Sequence, residues 1–537
     1  MKFRYIILAI IFSLVYGGLV FRLYDLQMNR GLGYFERAEA REKINQSNFT
    51  RGIIYFTDRY KSKIQVAVVK KLPVIYAVPK EIGDPGKIAE ALAPVVGLPQ
   101  EKLAALISNP KELYKLLVNK ASDEQVQSVK NLNLNGIYIG FKNFRYYPFQ
   151  NLASQLIGFV GVNDKNDQPV GLYGLESFYN SELQDGKNLV LTIDYTLQSK
   201  AEEVLVDLIE RFQATGGTVI IENPATGEIL ALTNKPDFDP NNYNQAEVGL
   251  FLNPAIKSLY EPGSVLKIIT MAAGIDSGKF TPDTTFYDSG FVTLNTKTIT
   301  NWDNKAHGKV TMTNVIEGSI NTGAVWAENQ IGDDLFYNYL VKFGLNKPTG
   351  VDFLEERKGN LSNLEIKNAS DIDFATASYG QGIAVTPLEL INAFSAIANG
   401  GKLMRPYFNA ELKPQIVRQV ISPDAARQVK AMMVSAVEKA EVAAIANYRV
   451  AGKTGTALVP DFKNGGYTSD VINTYIGFAP ACAEASAGRP ACDPQFVILL
   501  KIDKPKGAPL AGLSVVPAFK ELARFVLNYY NIPPDKF

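Results

Sequence analysis

The chain has 537 residues, with 55 Lys plus Arg, 54 Asp plus Glu, two cysteines and one histidine. The length suits two to four domains, and 46% apolar with 20% charged residues is a globular composition. A formal net charge of +1 argues against nucleic acid as a partner. A lone histidine, His307, with two cysteines argues against a zinc site and against any histidine-based triad that does not use His307. Acid–base chemistry is therefore expected on Lys, Tyr, Asp or Glu.

Residues 5–21 carry no charge, which meets the lower limit for a membrane span. Lys2 and Arg4 before the run favour a cytoplasmic tail, although Arg22 and Arg30 beyond it weaken that signal. A cleaved signal peptide has the same charged start, but no small-x-small cleavage site follows. Residues 1–22 are thus expected to be a tail and transmembrane anchor, with the rest on one side of the membrane.

Residues 23–186 form an expected first extracytoplasmic module. A polar stretch, 37–50, suits a stalk, and Asn48-Phe49-Thr50 spells a glycosylation triplet of little weight. Residues 63–69 and 74–78 read as strands, and 86–130 has helical spacing broken at Gly97-Leu98-Pro99. No chemical constellation stands out here, so the module reads as structural or interacting.

Residues 187–537 form the second region. Residues 189–194 lead into a helix, 195–212. A hairpin follows, with strands 219–222 and 228–232 around the turn 224–227. Two more strands, within 473–480 and 495–503, precede a terminal helix, 516–530. Strands at both ends of the region with helices between predict an α/β sandwich whose sheet mixes early and late segments. Cys482 and Cys492 are expected to pair in the oxidising compartment, closing a short loop worth about 2–3 kcal/mol, with two free thiols in a surface insertion as the plain alternative.

With histidine scarce, a nucleophile that carries its own base is sought. Ser264 follows Pro262-Gly263 and opens an apparent helix ending near Gly278, with Lys267 one turn on. In an apolar cleft a lysine loses its proton readily and can activate the hydroxyl. The pair alone is weak. An N-cap serine beside a solvated lysine is spelled the same way, and Ser108–Lys111 repeats the spacing. Ser319-Ile320-Asn321 adds a hydroxyl and an amide that can share one cleft. Lys453-Thr454-Gly455-Thr456, after an apparent strand approach, adds an amine and hydroxyls suited to a carboxylate, with a glycine that lets substrate backbone lie close. A local cap at Ser319 and a solvated edge lysine at 453 are the plain alternatives, but all three elements in this order are harder to dismiss.

The set Ser264-x-x-Lys267, Ser319-x-Asn321 and Lys453-Thr454-Gly455 resembles that of the penicillin-recognising serine enzymes. YEPGSVLKIIT, the stretch 378–406, RGIIYFTDR (51–59), 146–161 and 171–183 resemble marks of class B penicillin-binding proteins, from nucleophile segment to N-terminal pedestal. One departure is Asp58-Arg59-Tyr60-Lys61, where that family usually has Asp-Arg-Asn-Gly. The resemblance implies an anchor, a pedestal of the dimerisation type and a serine β-lactamase-like domain with a mixed sheet flanked by helices. It implies a peptidoglycan D,D-transpeptidase without cofactor or metal. Ser264 would attack the bond between terminal D-alanines, Lys267 would be the base and Ser319 the proton relay. Asn321 would hold the donor peptide, and Lys453, Thr454 and Thr456 its carboxylate beside Gly455. Backbone N–H groups of Ser264 and Thr456 would form the oxyanion hole. The partners implied are stem peptides, β-lactams, the membrane, and a multi-spanning glycan polymerase with other division or elongation proteins. The motifs lean towards a division-type enzyme. Rival readings are an elongation-type enzyme, a D,D-carboxypeptidase or β-lactamase, and an inactive sensor or scaffold. His307 is expected to be structural.

Overall fold

The structure, a computed structural model, describes residues 2–29, 49–162, 168–365, 369–461, 463–481 and 494–536. Asn48, Cys482 and Cys492, and with them the expected disulfide, lie outside the described residues. The chain divides into two compact units that are not contiguous in sequence: Met1–Arg51 with Val69–Tyr146, and Gly52–Val68 with Tyr147–Phe537. Residues 147–186, assigned by sequence to the first module, thus pack with the larger unit. So do 52–68, because Ile54–Thr57 pairs in parallel with Leu189–Asp194 and the Gly52 N–H donates to Leu183 O at 2.7 Å.

In the smaller unit, a helix over Lys2–Tyr24 is long and apolar enough to cross a membrane, and its apolar side chains are exposed. Further on, strand Ile64–Ala77 continues past Val68 and pairs antiparallel with Lys115–Val118. The two strands expected at 63–69 and 74–78 are therefore one. Helices Pro85–Val96 and Gln100–Ile107 are separated at Gly97, whose φ of 71° ends the first. They enclose a core of Ile75, Leu92, Leu103, Ile107 and Val129. The false motif resolves here: the Ser108 hydroxyl closes the second helix on Ala105 O, and Lys111 is exposed.

The larger unit is built on a five-stranded sheet. Helix α1 (Tyr195–Phe212) leads to the hairpin β1 (Gly216–Glu222) and β2 (Ile229–Lys235). Helices α2 (Lys267–Asp276), α3 (Met312–Glu317), α4 (Asn321–Ile331) and α5 (Pro387–Ala398) follow. Strands β3 (Ala451–Pro460), β4 (Tyr467–Phe478) and β5 (Val497–Asp503) and helix α6 (Val515–Tyr529) complete it. The order is β3-β4-β5-β1-β2, antiparallel throughout, so early and late segments interleave as the sequence predicts. Side chains alternate across a strand. Val219, Ile221, Ile498 and Leu500 face α1 and α6, while Ile220, Val497 and Leu499 join the core that contains α2 and α5. Both faces are covered, which is why these strands read as continuous apolar runs. Each fully buried Ile, Leu or Val contributes about 1.5–3 kcal/mol relative to exposure. The edge strand β3 is left open along one side, and the three motifs converge there.

Candidate active site

Ser264 lies in a single 3-10 turn, Gly263–Leu266, that runs into α2 at Lys267. The helix expected to start at Ser264 is thus tightened in its first turn, and the Lys267 N–H reaches Ser264 O. Glycines bring this turn against its neighbours. Gly380, at φ 85°, donates no side chain where an added Cβ would lie 2.1 Å from Gly263 O, and the Gly263 N–H donates to Gly380 O at 3.0 Å. On the other side, a Cβ on Gly455 of β3 would lie 2.6 Å from Pro262 O. The serine turn is therefore held between the 378–382 segment and the edge strand. Ser264 itself is partly exposed.

Ser319 follows α3 and precedes α4, in the left-handed region at φ 53°. For a residue other than glycine that costs roughly 1–3 kcal/mol, and it persists only where the surroundings impose it. Two lysines converge on it. The Lys267 Nζ donates to Ser319 O at 2.6 Å and Asn321 Oδ1 at 2.8 Å, and stands 3.3 Å from Ser319 Oγ. The Lys453 Nζ donates to Ser319 Oγ at 2.9 Å and also contacts Thr454 O and Oγ1 at 3.1 and 3.2 Å. Lys267 is wholly buried and Lys453 nearly so. Burial, reinforced by the nearby Lys453 charge, holds Lys267 well below the usual lysine range. Burial alone brings Lys453 down to about 7.

This geometry suits base chemistry. A neutral amine has two hydrogens and one lone pair. The two shortest contacts of Lys267 take both hydrogens, which leaves its lone pair for a hydroxyl. Ser319 Oγ, between the two amines, can pass a proton either way.

The structure therefore brings Lys267, Ser319, Asn321, Lys453 and Thr454 together, and packs the Ser264 turn against Gly455. The Asn321 amide bridges Lys267 and Thr300 O, the latter at 2.8 Å, and so orients the base. The Thr456 hydroxyl donates to Asn473 Oδ1 at 3.2 Å and accepts from the Ala511 N–H at 3.1 Å. His307 is placed away from these groups, with Nδ1 2.6 Å from Asp288 Oδ2 and Nε2 3.2 Å from Asp303 Oδ2. Sequence reasoning missed Gly380 and Glu261. Glu261 accepts from the Gly382 N–H and the Tyr467 hydroxyl beside the serine turn, and burial raises its pKa. Only the Glu-Pro-Gly-Ser run hinted at it.

The sequence matches the family described as penicillin binding protein transpeptidase domain over residues 217–523. It also matches the penicillin-binding protein dimerisation domain over 47–203. The first match spans more than half of the chain, and the chain belongs to the penicillin-binding protein transpeptidase family. With both domains present it is a class B member. Stage V sporulation protein D of Bacillus subtilis is 29% identical over 98% of this chain and 86% of its own. Peptidoglycan D,D-transpeptidase FtsI of Escherichia coli is 29% identical over 92% and 86%. The crystal structure of penicillin binding protein 2X from Streptococcus thermophilus shares the fold, with a TM-score of 0.69 over 90% of this chain and 80% of that one at 22% identity.

Proposed function

We propose that this protein is a membrane-anchored peptidoglycan D,D-transpeptidase that cross-links stem peptides by serine acyl transfer. The observation that carries the reading is the pair of buried lysines meeting at Ser319 Oγ beside the Ser264 turn. Ser264 Oγ attacks the carbonyl between the terminal D-alanines while Lys267 takes its proton. The N–H groups of Ser264 and Thr456 stabilise the oxyanion. Ser319 delivers a proton to the departing D-alanine nitrogen as the C–N bond breaks. Asn321 holds the donor peptide, and Lys453, Thr454 and Thr456 hold its carboxylate, with Gly455 leaving room for its backbone. An amine of a second stem then attacks the ester and releases Ser264. A β-lactam acylates the same oxygen.

Residues 23–186 supply the pedestal module, of which 52–68 and 147–186 pack within the larger compact unit, residues 187–537 supply the transpeptidase domain, and the apolar helix within residues 1–22 and just beyond anchors the chain in the cytoplasmic membrane. A septal role is supported by the similarity to FtsI, and a multi-spanning glycan polymerase is the partner this reading gives it. Localisation of a fluorescent fusion at mid-cell rather than along the side wall tests that role. The chemistry is tested with a fluorescent penicillin and with D-alanine release from a pentapeptide donor. Wild type labels stably and Ser264→Ala does not. An unlabelled wild type, or undiminished labelling of Ser264→Ala, overturns the acyl-serine reading; rapid turnover of the penicillin favours a β-lactamase instead.

A further inference from the structure

The strained Ser319 turn is gripped by three consecutive residues that no motif includes. Thr300 O accepts from the Asn321 amide at 2.8 Å. Asn301 Oδ1 accepts from the Thr322 N–H and lies within reach of its hydroxyl, both at 3.2 Å. The Trp302 indole N–H donates to Gly318 O at 2.9 Å. Segment 300–302 thus holds the residue before Ser319 and the two residues that open α4 after it.

The segment is itself anchored. Asn301 is buried, and its amide donates to Asp288 Oδ2 at 2.8 Å and to Lys305 O at 2.9 Å. Asp288 is also fully buried. It accepts from the Gly290 N–H at 2.8 Å, the Thr322 hydroxyl at 2.7 Å, and the His307 backbone at 3.0 Å. The His307 ring closes the set through Nδ1 on Asp288, with Asp303 on its other nitrogen. A buried carboxylate with this many donors is a fixed point, since a buried charge is tolerated only where hydrogen bonds surround it and each donor lost weakens that support.

We infer that Thr300–Trp302, anchored by Asp288 and His307, is a positioning clamp that fixes Ser319 and Asn321 against the two lysines. The inference rests on the proposed acyl-serine chemistry. Its residues touch neither lysine; they act through the Ser319 turn and the Asn321 amide. The sole histidine of the chain then has a part in catalysis without moving a proton. A misplaced reacting group of about 1 Å costs on the order of a hundredfold in rate, so a loosened clamp is read in rate.

The test is single-turnover acylation of the full-length protein by a fluorescent penicillin at saturating concentration, with rate constant and labelled fraction recorded separately. Damage to the fold lowers the fraction labelled, whereas a misplaced Ser319 turn lowers the rate constant of the molecules that do label. Trp302→Phe keeps a half-exposed ring and removes only the N–H, and it should slow acylation severalfold. Asn301→Ala and His307→Ala should slow it about tenfold or more. His307→Asn, which places an amide near the Nδ1 position, should recover part of the rate. Tyr287→Ser, an exposed change beside Asp288, should leave it unaltered. Wild-type rate constants in Trp302→Phe and His307→Ala, or no difference between His307→Asn and His307→Ala, overturn the clamp while the acyl-serine reading stands. Failure of the wild type itself to label overturns that reading and the clamp with it.

Discussion

Replacing Lys453 by Met keeps the side-chain length and removes the buried amine. Burial draws that amine from an ordinary 10.5 to about 7, which corresponds to about 5 kcal/mol against the ammonium. In the unfolded chain the amine titrates at about 10.4. Between these two values the unfolded chain holds the proton and the folded chain has released it, so wild-type stability rises with pH across that window. Below about pH 7 both states carry the proton, and the full cost stands. Met avoids that cost but forgoes the contacts to Ser319 Oγ, Thr454 O and Thr454 Oγ1, each worth about 1 kcal/mol net. The variant should therefore be about 2 kcal/mol more stable at about pH 6, lose that advantage as pH rises, and be the less stable protein near about pH 10. Chemical denaturation of the detergent-solubilised full chain across that range measures the difference. Penicillin labelling of the same samples should show that the gain comes with loss of acylation. Any residual acylation should have its acid limb at higher pH, because removing the Lys453 charge lets the Lys267 amine hold its proton longer. A stability gap that does not change with pH, or one that widens as pH rises, refutes the reasoning.

Lys267→Ala should lower the acylation rate by about a hundredfold to ten-thousandfold in the same labelling assay, the usual range for a lost general base. Gly380→Ala would put a Cβ 2.1 Å from Gly263 O at a positive φ, and should lower stability by about 2–6 kcal/mol and slow labelling through the displaced serine turn; an unchanged melting temperature refutes this. Glu222 is fully buried in β1, and desolvation, only partly offset by the Ser395 hydroxyl, raises its pKa to about 8. Its folded pKa is above the unfolded one, so wild-type stability falls as pH rises from about 4.5 to about 8. Glu222→Gln should flatten that slope, and an unaltered slope in urea titrations counts against the assignment.

The sheet was legible because its strands are buried on both faces. Runs such as 219–222 and 497–502 need no alternation to be seen, and the cap, turn and helix signals around 195–212 fall where the chain turns. The division of the first module between two compact units was not legible. The parallel pairing of 54–57 with 189–194 draws 52–68 to the larger unit, where 147–186 also packs. At the site, the three elements in their order singled out Ser264, Lys267, Ser319, Asn321 and Lys453, and the family resemblance implied their roles, since short motifs of hydroxyls, amides and amines are visible in sequence. What could not be read is what each side chain faces. The Asn321 amide faces Lys267 and Thr300 rather than open space, and Thr456 faces Asn473. Gly380 lies in a segment noted only for its familiar pattern, because its role is a backbone contact made 117 positions away from Gly263.

The scarcity of histidine has a structural counterpart. An unperturbed histidine titrates near neutrality, whereas lysine does so only in surroundings that penalise its charge. A lysine base therefore transfers the work of tuning from the residue to the fold. Here the tuning consists of complete burial of Lys267 and a second amine close enough to repel its charge, while Ser319 O and Asn321 Oδ1 orient the amine by receiving its hydrogens. Each of these is unfavourable taken alone: two desolvated amines, a left-handed serine, and glycines that must stay bare. They persist because the sheet and its helices over-determine the positions of β3, the serine turn and the start of α4. Conservative changes far from Ser264 that relax this packing should thus impair acylation before they unfold the protein, since the base loses its environment before the fold loses its core.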